Sequence, residues 1–350
     1  MNEQGMRRAK LGSTDLEVSD ICLGCMGFGD ASRGQHSWTV DEDASRAIVR
    51  SALDAGINFF DTAIAYQSGT SEQFLGRALR DFARRDEVVV ATKFPPRTDK
   101  EIAEGIDGRA HVGRMLDASL RNLGMDHVDL YIYHMWDYRT PIREIMQGLA
   151  DAVAQGKARH VGISNCFAWQ LAQANALADA EGFPRFVSVQ GHYNLLFREE
   201  EREMVPLCRQ EGIALTPYSP LAGGRLSKRP GEESKRLRED AYARLKYDGA
   251  AALDRPVIER VSQLADERGV SMAQVALVWL LAKGAVPVTG ATKTRHVQDA
   301  ARAAALRLLP DEIAYLEEPY LPHALVGVMA QNVPDAEGGE RAWSTGDQQI

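Results

Sequence analysis

Short apolar runs alternate with longer amphipathic stretches along most of the chain. The runs that read as strands are Ile21–Leu23, Ile57–Phe60, Val88–Thr92, Val128–Tyr133, His160–Ile163, Phe186–Gln190, Ala214–Tyr218 and Ala285–Val288. Between them, stretches such as "DEDASRAIVRSALDAG", "HVGRMLDASLRNLG" and "SMAQVALVWLLAKG" carry the helical period. Several of these end in glycine, a common helix stop, and Ser271 is placed to cap the last one. Strands that recur about every 25 to 40 residues with helices between them, apart from one longer gap before the last, are parallel strands joined by crossovers. Eight such strands predict an α/β chain folded as a closed (β/α)8 TIM barrel. An open doubly wound sheet is the alternative. If it bound a dinucleotide it would usually carry G-x-G-x-x-G after its first strand. The glycines of "LGCMGFG" have another spacing, and no helix follows them directly.

Three regions depart from the repeat. "KLGSTDLEVS" reads as a small hairpin that could plug the bottom of a barrel. Leu221 to Pro256 contains a long charged insertion after strand seven, expected to be a lid or a disordered loop. The barrel domain is expected over residues 1–327 and a mobile polar tail over 328–350.

The composition narrows the partners. The chain has 350 residues, 45% apolar and 26% charged, which suits one large soluble domain. A net charge of −8 argues against nucleic acid, which selects clustered positive charge. The N-terminal residues do not read as a signal peptide, and "VALVWLLAKGAV" is too short and interrupted for a membrane span. A cytoplasmic protein is expected. Cys22 and Cys25 form a C-x-x-C, but no second pair or nearby histidine completes a metal set, so no metal is expected.

The barrel prediction gives the strand ends their meaning, because active sites of this fold lie at the C-terminal ends of the strands. Asp61 ends the second strand with Tyr66 just beyond it, Lys93 ends the third and His134 follows the fourth. Each has an ordinary reading: a turn cap, a packed aromatic, a surface lysine, a core histidine. Together they make one chemistry. A free phenol titrates near ~10 and is a poor acid at neutral pH. A lysine ammonium beside it would lower that value, a carboxylate would keep the lysine charged, and the histidine would orient a substrate oxygen. Such a tyrosine can protonate a carbonyl oxygen as charge develops there, given a hydride source.

"FFDTAIAY", "ATKF", "YHMWD", "GISN", "SVQGHYNLL" and "YSPLAGG", in this order, resemble the aldo-keto reductase superfamily over about residues 8 to 325. "LGCMGFGDASRGQHSW" and "PYLPH" are most similar to a bacterial branch containing proteins named 1-deoxyxylulose-5-phosphate synthase, alongside aryl-alcohol dehydrogenase-like members. The resemblance implies an NADP(H)-dependent oxidoreductase with Tyr66 as proton donor, Lys93 and Asp61 as its tuners and His134 as orienter. It implies that Ser164, Asn165 and Gln190 hold the nicotinamide carboxamide and that Tyr218 stacks on the ring. Ser219, Leu221 and Gly223 would cradle the pyrophosphate, with Gly24, Cys25 and Met26 bordering the cofactor. At the adenine end "VTGATKTRHVQDAARA" departs from the family pattern, with Thr289 in place of proline and Ala300 where asparagine is common. Thr292, Lys293 and His296 would meet a 2′-phosphate there, favouring NADPH over NADH, and Gly290 would also touch the cofactor.

Phe28, Trp136 and Tyr138 are expected to shape the pocket for a small carbonyl substrate, whereas the bacterial branch suggests a sugar phosphate. Two other classes stay open: a cofactor-binding regulatory subunit, and a lyase or isomerase using Lys93 as a Schiff base. Oligomeric state is not legible in the sequence.

Overall fold

The computed structural model describes residues 6–34, 36–232 and 235–334, without the side chains of Lys235 and Arg236. Strands β1 (Arg8–Lys10) and β2 (Glu17–Ser19) pair antiparallel, Arg8 opposite Ser19. Eight strands follow: β3 (Cys22–Gly24), β4 (Phe59–Asp61), β5 (Val89–Phe94), β6 (Val128–Tyr133), β7 (Ala158–Ser164), β8 (Phe186–Gln190), β9 (Ala214–Leu215) and β10 (Val288–Gly290). All their pairings are parallel, in the order β10-β3-β4-β5-β6-β7-β8-β9. The Val286 and Val288 amides donate to Leu215 O at 2.8 Å and Pro217 O at 2.9 Å, which closes the ring between its last two strands. The barrel is therefore the fold, with the expected hairpin before it.

The helices are α1 (Glu42–Asp54), α2 (Thr70–Phe82), α3 (Asp99–Ala103), α4 (Gly108–Leu123), α5 (Ile142–Ala154), α6 (Ala168–Glu181), α7 (Met204–Glu211), α8 (Lys235–Glu239), α9 (Ala241–Tyr247), α10 (Ala251–Arg268), α11 (Met272–Ala282), α12 (Thr294–Ala303) and α13 (Pro310–Glu317). Asp41, Asp107 and Ser271 cap the N-termini of α1, α4 and α11 by accepting from backbone amides.

The hairpin does sit at the barrel's lower end. Leu11, Leu16 and Val18 are buried with Cys22, Phe59, Leu130 and Ile132. Asn58, the one polar residue in an apolar run, ties hairpin to barrel. Its Oδ1 accepts from Ser19 N at 2.7 Å and its Nδ2 donates to Glu17 O at 2.8 Å.

Three expectations need correction. The seventh strand stops at Leu215, because Pro217 has no amide to give a ladder; Tyr218 keeps only an isolated bridge to His192. The 225–255 insertion is not an open loop. It contains α8, α9 and the start of α10, and Ala243 and Tyr247 are buried. The tail is also ordered at its beginning: Gly327–Gln331 forms a 3-10 turn, and Met329 and Asn332 are buried. Residues 335–350, the rest of that expected tail, lie outside the described residues.

Candidate active site

The carboxyl ends of the barrel strands open into one cavity of about 1390 Å³. Tyr66, Asp61 and His134 line it, and Lys93 lies behind them with no exposed surface. The Lys93 ammonium donates to Asp61 Oδ1 at 2.6 Å and to Thr62 O at 2.6 Å. It also lies 4.8 Å from the centroid of the Tyr66 ring. Gln190 Nε2 donates to the other Asp61 oxygen at 3.0 Å, so each carboxylate oxygen has a donor. The His134 ring meets Tyr66 edge-on, with centroids 5.9 Å apart. Strand register makes this cluster: Gly24 is level with Asp61, and Lys93 with Ile132, two residues before His134.

Burial and charge act against each other here. Burial would lower the Lys93 pKa, but the Asp61 carboxylate and the Tyr66 oxygen outweigh it, and the net shift is upward. The buried amine is therefore a fixed positive charge. Tyr66 is raised by burial, and Lys93 offsets that only in part. This corrects the simple expectation of a phenol below its ordinary value: the lysine limits a rise. His134 is lowered to about 3 by burial and the Lys93 charge, so its imidazole is neutral. Its Nδ1 is buried without a partner among the described residues.

Beside this cluster, Asn165 is a junction. It adopts a left-handed backbone, φ 50°. Its Nδ2 donates to His134 O at 2.8 Å and Ser164 Oγ at 2.9 Å, and its Oδ1 accepts from Tyr218 OH at 3.0 Å. His192 stacks on Tyr218 with centroids 5.4 Å apart. Beyond it the chain turns through positive φ at Ser219, Ala222, Gly223 and Gly224. The step from Leu221, φ −105°, to left-handed Ala222 is the kind of turn whose successive amides can form an anion-binding concavity.

The cavity continues to the N-terminus of α12. Gly24, Met26, Ser164, Asn165, Gln190, Tyr218, Ser219, Leu221, Gly223, Gly290, Thr292, Lys293 and His296 all line it. Cys25 does not: its thiol is buried and faces Leu23 O at 3.6 Å, and burial pushes its pKa up. Phe28, Trp136 and Tyr138 are not in the lining either. Phe28 is fully buried, Trp136 packs edge-on against Trp169 and Tyr138 accepts from Gln170 Nε2 at 2.9 Å. The lining also includes His36, Trp38, Met135, Tyr242 and Val328. In the sequence Trp38 stands out as a large apolar residue in a polar loop after the first strand, and Tyr242 as an aromatic inside a charged insertion. Arg295 and Arg302, from the first and last turns of α12, also line the cavity.

The aldo/keto reductase family profile matches residues 20–320. The chain belongs to the aldo/keto reductase family. This aldo/keto reductase is 37% identical over 342 residues to the versiconal hemiacetal acetate reductase of Aspergillus parasiticus, covering 91% of this chain and 98% of that one. A Schizosaccharomyces pombe chain bearing an aryl-alcohol dehydrogenase name is 35% identical over 341 residues, covering 91% and 96%. Among solved structures, a thermostable aldo-keto reductase in complex with the inhibitor epalrestat superposes with a TM-score of 0.72 at 25% identity, covering 90% of this chain and all of that one. Both sequence relatives are fungal, and they do not show the bacterial branch suggested by the motifs. The family places this protein among oxidoreductases that use nicotinamide cofactors. Among the described residues, no helix is long and apolar enough to cross a membrane.

Proposed function

We propose that this protein is an NADP(H)-dependent carbonyl reductase that converts aldehydes or ketones to alcohols with Tyr66 as the general acid. One observation carries the reading: a fully buried lysine, paired to a carboxylate at 2.6 Å, lies 4.8 Å from the ring of a tyrosine that faces a large cavity beside a neutral histidine. The residues present fit a nicotinamide cofactor. The Ser219–Gly224 turn suits a pyrophosphate, and the lining cations Lys228, Lys293, Arg295 and Arg302 suit a phosphorylated ribose. A reduced nicotinamide, when bound, supplies a hydride to the carbonyl carbon.

Tyr66 supplies the proton. Its raised pKa keeps the phenol protonated at neutral pH, and the Lys93 charge stabilises the phenolate left after transfer. Asp61 keeps Lys93 charged. His134, neutral, can donate one N–H to the substrate oxygen and set its direction toward Tyr66. Ser164, Asn165 and Gln190 carry the carboxamide, and Tyr218 offers its ring to the nicotinamide. The aromatic wall of Trp38 and Tyr242, with Val328, favours aryl carbonyls over small polar ones. The sugar-phosphate reading rests only on motif likeness.

The test is Tyr66→Phe, followed by NADPH absorbance with a panel of aryl aldehydes, dicarbonyls and ribulose 5-phosphate. Turnover should fall about 100-fold or more while NADPH still binds. Full turnover in this variant would remove the acid assignment, and activity confined to the pentulose phosphate would replace the aryl preference.

A further inference from the structure

The opening of the expected tail is joined to the active site by side-chain amides. Asn332 is 5% exposed and Gln170, on α6, is fully buried. The two amides face each other and exchange hydrogen bonds. Asn332 Nδ2 donates to Gln170 Oε1 at 2.9 Å, and Gln170 Nε2 donates to Asn332 Oδ1 at 3.1 Å. Gln170 Oε1 also accepts from Phe167 N at 2.8 Å, which fixes the turn between β7 and α6. Asn332 Nδ2 further reaches Asn165 O at 3.4 Å, an oxygen that also accepts from Trp136 N at 3.3 Å.

Asn165 needs such support. A non-glycine residue in the left-handed region is uncommon, asparagine tolerates it better than most, and its surroundings decide whether it stays there. Its side chain joins the ends of three strands through the His134 carbonyl, Ser164 and Tyr218. A small rotation at Asn165 would therefore move the loop that carries His134 and release the Tyr218 hydroxyl together.

We propose that Asn332 and Gln170 are positioning residues for the reductase reaction: their reciprocal amide pair clamps Asn165, and through it sets His134 and Tyr218 against the nicotinamide. The C-terminal segment is then part of the machinery that aligns hydride donor and acceptor. This rests on the reading that Asn165 holds the carboxamide.

The experiment compares Asn332→Ala, the milder Asn332→Ser, the exchanged pair Gln170→Asn/Asn332→Gln, and Asn165→Ala. NADPH affinity, kcat and KM for an aryl aldehyde, and the isotope effect with 4-deuterated NADPH are measured. Hydrogen exchange over residues 165–171 is read in the cofactor-free protein. Loss of the Asn332 amide should speed that exchange, lower kcat about tenfold, raise the isotope effect on kcat as hydride transfer becomes limiting, and leave aldehyde KM within about twofold. The exchanged pair should recover much of kcat. If Asn332→Ala does not fold, Asn332→Ser carries the same expectations. Unchanged exchange and isotope effect in the folded Asn332 variant overturn the proposal, as does a lower melting temperature with kcat and isotope effect intact. Should Asn165→Ala bind NADPH normally, the cofactor reading itself fails. Should Asn165→Ala be impaired while the Asn332 variants behave as wild type, only the amide-pair proposal fails.

Discussion

Asp61→Asn is the most informative single change, because one side chain serves both the fold and the chemistry. Asp61 is 2% exposed, and its two oxygens accept from Lys93 at 2.6 Å and from Gln190 at 3.0 Å. Asparagine has one acceptor oxygen. Whichever donor it satisfies, its NH2 faces the other, and the fully buried Lys93 loses its counter-charge. Removing one partner of a buried ion pair costs about 3–5 kcal/mol. The Thr62 carbonyl, 2.6 Å from the same ammonium, remains and moves the expectation to the lower part of that range, about 3 kcal/mol. A melting-temperature loss of about 4 °C follows.

The same change removes what raises the Lys93 pKa, and burial then drives the amine toward its neutral form. Tyr66 keeps its burial and loses its offset, so it becomes a weaker acid and kcat should drop about 100-fold. Thermal unfolding and NADPH-coupled turnover measure the two effects. The double variant Asp61→Asn/Lys93→Met separates them: with no charge left buried, most of the stability should return while activity stays lost. An Asp61→Asn protein within about 1 kcal/mol of wild type, or a double variant no more stable than the single one, would refute the electrostatic account.

Three further outcomes are expected. Because Tyr66 must be protonated to reduce a carbonyl and its pKa is raised, reduction should hold level through neutral pH and fall only as pH climbs past the ordinary phenol value near ~10, while alcohol oxidation rises with pH. A reductase profile that collapses on approaching pH ~8 contradicts the assignment. Lys293→Met or Arg302→Met should raise the NADPH KM about tenfold and leave the NADH KM nearly unchanged, since each would remove a charge-assisted contact to phosphate; equal effects on both cofactors exclude a 2′-phosphate role. Glu200 is pushed up to about 8 by burial, so its contribution to stability is fully present below the unfolded carboxylate value and is lost as pH rises toward and through 8. Since the side chain keeps some exposure, about 2 kcal/mol separates pH ~6 from pH ~9, and Glu200→Gln should flatten that slope in urea unfolding.

The strand-and-helix alternation determined the barrel, because buried parallel strands need apolar runs and the crossovers between them need an amphipathic face. Chain order determined which residues stand at strand ends, so Asp61, Lys93 and His134 could be brought together from period and spacing, with Tyr66 in the loop beyond. Local pattern carries that much because backbone hydrogen bonding and burial act on neighbours in sequence. The walls of the cavity were decided elsewhere. Trp38, Tyr242 and Val328 reach it from a loop, an insertion helix and the C-terminal segment, and Phe28 and Trp136 turn away into packing that no periodicity encodes. The balance of burial against charge at Tyr66 and the meeting of Asn332 with Gln170 are likewise tertiary. Each depends on distances between groups far apart in the chain, and electrostatic and hydrogen-bond energies change steeply with those distances.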